Sequence, residues 1–314
     1  CIDYYSHIFY WGMNMPGPGV NPTHDLWEDG EEAWNNGTYF TEAVTSKAIE
    51  YIRKAATDKN PFFLYVPFNA PHYPMHAPEK YMQRFEHLPW DRQVMAAMLS
   101  AVDDGVGSIM AELDSLGLAD NTCTLFTADN GPSRESRNWL DGTLDPYYGG
   151  TSGQLKGHKF SLYEGGIRVP GIMNWPGTIP SGQVIDYPCA SMDIFSTILN
   201  AAGGSPSEYE LDGQDLLPCV LDGKVPPERD LFWEMGEQTA IRRGTSKLVL
   251  NGQLVEEDSP SNTVHLSDLD EDMGEQKNLQ SQQPELVAEL RTAASKWRLE
   301  IEQRWDKEFS PKAQ

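Results

Sequence analysis

The chain has 314 residues, with 24 Lys and Arg against 47 Asp and Glu, so its formal charge at pH 7 is −23. Hydrophobic residues at 39% and aromatics at 11% are enough for a core and argue against wholesale disorder. A pI near 4.5 argues against nucleic acid or an anionic membrane surface as partner, because affinity for either comes largely from Lys and Arg set against phosphates.

Residues 1–40 read as irregular, with Gly, Pro and Asn clustered at positions 12–19 and no periodicity. Asn36-Gly37-Thr38 is the one glycosylation triplet, and most such triplets are turns. A chain that opens on Cys1 reads as a piece cut from a longer protein, and its four cysteines are too few for a disulfide scaffold. A helix is predicted from a Thr41 N-cap, with Ala43, Val44, Ala48, Tyr51, Ile52 and Ala55 on one side. Residues 62–66, Phe-Phe-Leu-Tyr-Val, are short, continuous and apolar, as in a buried parallel strand, and run into a proline-rich loop carrying His72. Val94, Met98, Val102, Val106, Ile109 and Leu113 recur at three or four and predict a long amphipathic helix over 91–116. No uninterrupted apolar run approaches the roughly 18 residues of a membrane span.

A second buried strand is predicted at 122–128, ending in Asp129-Asn130-Gly131, then a long loop over 133–158, a strand over 167–175 and a short helix over 193–202. This alternation predicts an α/β fold with a mostly parallel central sheet flanked by helices. After Pro226-Pro227 the character changes. Residues 231–233 and 247–250 read as strands of a small antiparallel sheet, 268–275 as an acidic solvated loop, and the stretch after Pro284 as a helix with Leu290, Ala294, Trp297 and Ile301 inward. The division is therefore 1–227, a partial α/β domain, and 228–314, a C-terminal subdomain.

In open α/β sheets, ligands collect just beyond the carboxyl ends of strands. Asp129 followed by Asn130 offers two hard oxygens to a divalent cation such as Ca²⁺; the same Asp-Asn-Gly-Pro is also ordinary turn chemistry. The segment 155–170 either places Lys159 against an anionic group or is surface.

Taken in order, Phe-Phe-Leu-Tyr…His-Tyr-Pro, Thr-Ala-Asp-Asn-Gly-Pro and Lys-x-x-x-Tyr-Glu-Gly-Gly-Ile-Arg-Val-Pro resemble the type I sulfatases, in the alkaline phosphatase superfamily. Residues 264–279 resemble that family's terminal subdomain, and 25–42 the stretch before its first strand. The resemblance implies an alkaline phosphatase-like fold. It implies Asp129 and Asn130 as the two later metal ligands, normally for calcium, Lys159 as the lysine that binds the sulfate group, and His72 as the histidine near the ester oxygen. Ser6 and His7 align only loosely near the substrate mouth, while His76 and His158 match no role.

The chain departs from the family at its nucleophile. A formylglycine is made from Cys or Ser in Cys/Ser-x-Pro-x-Arg, which does not occur in the 314 residues; Asn130-Gly131-Pro132-Ser133-Arg134 imitates only its tail. The two early Asp ligands and the Lys and His that flank the nucleophile have no counterpart either. The resemblance therefore implies the C-terminal part of a sulfatase, with the formylglycine expected in an N-terminal portion that the chain lacks. Alone it would bind calcium weakly and turn nothing over. Residues 25–41 are similar to members acting on N-acetylgalactosamine 6-sulfate, which implies a sulfated saccharide as substrate, and the family implies export to the periplasm or outside the cell. A phosphoester hydrolase and a non-catalytic anion-binding or interaction protein are the alternatives. With sheet strands missing, the chain is expected to self-associate or to stay bound to its own N-terminal portion.

Overall fold

The computed structural model describes residues 26–35, 37–72, 75–133, 150–254 and 262–309. Its chain divides into two units, Cys1–Thr122 with Arg134–Gly150, and Cys123–Ser133 with Thr151–Gln314. Ser6 and His7 lie outside the described residues.

The first unit is built on helices α1 (Phe40–Asp58), α2 (Glu79–Met82) and α3 (Trp90–Ser115), preceded by a two-residue antiparallel ladder of β1 (Trp27–Glu28) and β2 (Glu31–Glu32). In α3 the spacing read from the sequence becomes a buried face of Val94, Ala97, Met98, Ala101 and Val102. By length and composition alone this helix is long and apolar enough to cross a membrane, where the sequence reading expected no such stretch, and a third of that stretch is buried inside the protein. Gly105 lets α1 and α3 approach closely, since a Cβ there would stand 2.5 Å from Thr45 Oγ1. Two expectations are corrected. Helix α1 starts one residue before Thr41, whose side chain is buried, with Tyr39 in the capping position and its hydroxyl donating to the His76 carbonyl at 2.9 Å. Residues 62–66 form no ladder. They keep the alternation of an extended strand, with Phe63 69% and Tyr65 77% exposed between half-buried neighbours, but they pair with no described strand.

The second unit contains β3 (Thr124–Thr127), α4 (Glu164–Ile167), β4 (Gly171–Asn174), α5 (Met192–Ala201) and α6 (Leu217–Asp222), then β5 (Asp230–Met235), β6 (Gln238–Arg243), β7 (Ser246–Gly252), β8 (Asn262–Asp268) and α7 (Pro284–Glu308). β3 and β4 pair antiparallel, from Thr124 opposite Asn174 to Thr127 opposite Gly171, so the expected parallel sheet is not found among the described residues. Here the described helix between the two strands is the four-residue α4, and the chain passes from it straight back along β3.

Strands β5 to β8 form an antiparallel meander in chain order. Their two-residue periodicity sends Ile241, Leu248 and Leu266 toward Leu290 and Ala294 of α7, while Ala240 and Val249 pack on Leu162 and Tyr163. Both faces are therefore covered. Phe232 stacks on Trp297 at 5.0 Å between ring centres. Helix α7 outruns the sheet, so Ile301, expected inward, is 37% exposed. The acidic stretch 268–275, expected to be solvated, ends in a fully buried Glu275, because a lysine and a backbone amide inside the unit take up its charge. The expected boundary at 227/228 falls within this second unit, just before β5.

Candidate functional site

Three of the four residues singled out from the sequence lie in the second unit. β3 ends at Thr127, and its hydroxyl donates to the Pro170 carbonyl at 3.0 Å. The chain then turns through Asp129 and Asn130. Asp129 Oδ1 accepts the Asn130 backbone N–H at 2.9 Å, and Asn130 Nδ2 donates to the Gly131 carbonyl at 2.8 Å. The turn reading of Asp-Asn-Gly-Pro is realised: these side chains hold it, and Asp129 stays exposed.

That turn is bound to the segment carrying Lys159 by close backbone contact. Gly131 N–H donates to the Gly166 carbonyl at 2.9 Å, Lys159 N–H to the Pro132 carbonyl at 2.9 Å, and Gly165 N–H to the Lys156 carbonyl at 2.7 Å. Glycine is required here. A Cβ on Gly131 would stand 1.8 Å from the Gly165 oxygen, one on Gly165 2.1 Å from the Gly157 oxygen, and one on Gly166 2.0 Å from the Ser161 oxygen. A cavity of about 300 Å³ opens beside this contact, lined among others by Asn130, Thr151, Ser152, Leu155 and Arg168. The Lys159 ammonium lies 4.9 Å from the centre of the Phe160 ring. His72 belongs to the first unit, half-buried, with its backbone N–H donating to Asn69 at 2.9 Å. His76 packs edge-on against Tyr39 in that unit, and His158 is buried with Nδ1 3.2 Å from the Lys159 carbonyl.

Behind the lysine segment, one face of the four-stranded sheet carries polar residues that the sequence reading did not single out. Lys247 of β7 is fully buried, its ammonium 2.8 Å from Glu164 Oε1 and 3.3 Å from Glu275 Oε1. Glu275 Oε2 accepts the Glu164 backbone N–H at 2.6 Å, and Arg242 and Arg168 stand 3.8 and 3.4 Å from Glu164 Oε2. Burial raises the Glu164 pKa, but Lys247 and the two arginines outweigh it and hold the carboxyl below its ordinary value. Glu275 has fewer cations, and burial pushes its carboxyl up. Gln238 of β6 is buried, donating from Nε2 to the Phe160 carbonyl at 2.9 Å. The signal in the sequence was weak: Lys247 opens an apolar run and looks like the charged end of a strand.

Asp129 and Asn130 supply a carboxylate and an amide oxygen, hard donors of the kind calcium takes, but calcium wants six to eight. No group of three His, Cys, Asp or Glu converges to hold an ion among the described residues. The pair suits part of a calcium site.

A sequence profile described as Sulfatase matches residues 6–205. N-acetylgalactosamine-6-sulfatase of Sus scrofa is 35% identical over 197 residues, which are 62% of this chain and 35% of that protein. The crystal structure of Ps i-CgsB superposes with a TM-score of 0.71 at 28% identity, covering 86% of this chain and 56% of that one, and the same protein has been solved with k-i-k-neocarrahexaose. The phosphonate monoester hydrolase of Agrobacterium radiobacter shares the fold, with a TM-score of 0.56 at 19% identity, covering 88% of this chain and 63% of that one. These likenesses give the α/β, alkaline phosphatase-like architecture expected from the motifs. The chain spans about a third of the length of the curated relatives it matches.

Proposed function

The chain belongs to the sulfatase family, and from that premise we propose that the whole protein hydrolyses sulfate esters of a carbohydrate. The observation that carries this is the pair of backbone hydrogen bonds, Gly131 to Gly166 and Lys159 to Pro132, that ties the hard-oxygen turn to the cationic segment. A sulfate ester is anionic and repels nucleophiles, so its site has to neutralise the sulfate oxygens and the departing alcohol oxygen. Lys159 is assigned to the sulfate oxygens. His72 is assigned to the leaving oxygen, because imidazole exchanges protons near neutral pH. Asp129 and Asn130 would hold a calcium ion, which when bound neutralises charge on the sulfate. The remaining ligands and the formylglycine are assigned to sequence outside these 314 residues.

The saccharide assignment draws on the name of the Sus scrofa relative and on the neocarrahexaose complex of Ps i-CgsB. Export to the periplasm or beyond is proposed with it. The test is sulfate release from 4-nitrophenyl sulfate and from N-acetylgalactosamine 6-sulfate by the protein of the complete reading frame. Lys159→Ala should lower kcat/KM at least about 100-fold, the scale of one lost charge-stabilising group. Phosphate monoesters cleaved in preference to sulfate esters, or no turnover of either, would overturn the proposal.

A further inference from the structure

Phe160, the residue after Lys159, is held at φ +74°, a left-handed conformation that residues with a Cβ avoid. Such a residue persists only when its surroundings over-determine it. Two groups do so here: the Ser161 N–H, which donates to the His158 carbonyl at 2.9 Å across the Lys159–Phe160 turn, and the carboxamide of Gln238, 2% exposed at the start of β6. Its Nε2 donates to the Phe160 carbonyl at 2.9 Å, and its Oε1 accepts the N–H of Gln253 at 3.0 Å and of Leu162 at 3.4 Å. One side chain of the C-terminal sheet therefore fixes both ends of the turn just after Lys159. On the other side, the Lys159 backbone is fixed to Pro132 beside the Asp129–Asn130 turn.

We propose that Gln238 is a positioning residue for Lys159. By pinning Phe160 in the left-handed region, its carboxamide fixes the direction from which the lysine ammonium meets a sulfate group. The inference rests on the assignment of Lys159 to the sulfate oxygens. It gives the four-stranded sheet a part in anion recognition without contact to the substrate.

The experiment uses the full chain, with inorganic sulfate titrated calorimetrically and backbone hydrogen exchange followed residue by residue. Gln238→Glu has the same shape and keeps the acceptor, but loses the donor to Phe160. It is expected to weaken sulfate binding at least fivefold and to speed exchange of the Lys159 amide at least tenfold, while the Ile241 and Leu248 amides of the same sheet stay within twofold. In a Phe160→Gly background, where left-handed backbone is unstrained, the same change should alter sulfate binding less than twofold. The proposal is overturned if the Lys159 amide keeps its protection, if the sheet amides accelerate with it, or if the binding loss persists in the glycine background. Should Gln238→Glu fail to fold, Gln238→Met is scored by the same criteria. Wild-type chain that ignores sulfate, or binds it equally after Lys159→Ala, sinks the assignment of Lys159 instead, and the exchange measurement then decides on Gln238.

Discussion

The Gly131 backbone N–H donates to the Gly166 carbonyl at 2.9 Å, and this bond ties the turn of Asp129 and Asn130 to the turn behind Lys159. The two motifs stand this close because neither glycine has a side chain. Glycine serves close backbone approach here, since neither residue has a positive φ.

Gly131→Ala is therefore expected to be costly. The new Cβ would meet backbone oxygen at 1.8 Å, which no side-chain rotation relieves. Overpacking of this kind costs about 3 kcal/mol or more. Urea unfolding of the full chain measures it. Gly107→Ala in α3 is the control: a Cβ there meets nothing within 4 Å, and the helix interior should gain about 0.5–1 kcal/mol. Equal effects of the two changes would refute the close-approach argument.

Lys247→Met should destabilise the second unit by about 3–5 kcal/mol, because it leaves buried carboxylates without their shared cation. Adding Glu275→Gln should recover part of the loss by removing one uncompensated charge. A single variant within about 1 kcal/mol of wild type would mean that water or rearrangement already serves those carboxylates.

His265 predicts a pH dependence with a definite sign. Burial, and then Lys156, pushes its imidazole down to about 4. Unfolded, it titrates near 6.5, so the unfolded state binds the proton more readily. Stability from this group is full above about 6.5 and is lost as pH falls toward 4. At about 1.4 kcal/mol per unit, the loss is on the order of 3 kcal/mol. His265→Phe, which keeps an aromatic ring edge-on to Tyr163, should flatten the fall between pH 6.5 and 4. The neighbouring Glu275, raised by burial, acts in the opposite direction but is common to both proteins and cancels in the difference. Parallel pH–stability curves for variant and wild type would contradict this.

Phe63 and Tyr65 stand exposed on an extended segment with no described partner strand. Such a segment recruits other strands. The isolated chain is therefore expected to bind a hydrophobic dye and to self-associate as concentration rises, read by light scattering. Phe63→Ser with Tyr65→Ser should reduce both. A monodisperse monomer that ignores the dye would refute the expectation.

Helices α1, α3 and α7 were legible because each carries its periodicity within one stretch of chain. Asp129, Asn130 and Lys159 were legible as candidates because their neighbours, Gly-Pro on one side and Tyr-Glu-Gly-Gly on the other, are contiguous motifs. The direction of the β3–β4 pair was not, since an apolar run has no preferred partner orientation and the return path lies in the turn between.

Sequence alone determined the class of the fold, the approximate extent of these elements and the chemistry of the candidate residues, because composition, periodicity and short motifs are local properties. Tertiary structure decided which polar residues are buried. Lys247 and Glu164 are 83 positions apart, and Gln238 and Phe160 are 78 apart. A lysine or glutamine at the edge of an apolar run reads as solvated until a distant carboxylate or carbonyl arrives to satisfy it. The free energy of burying a polar group is set by that partner and not by its neighbours in the chain.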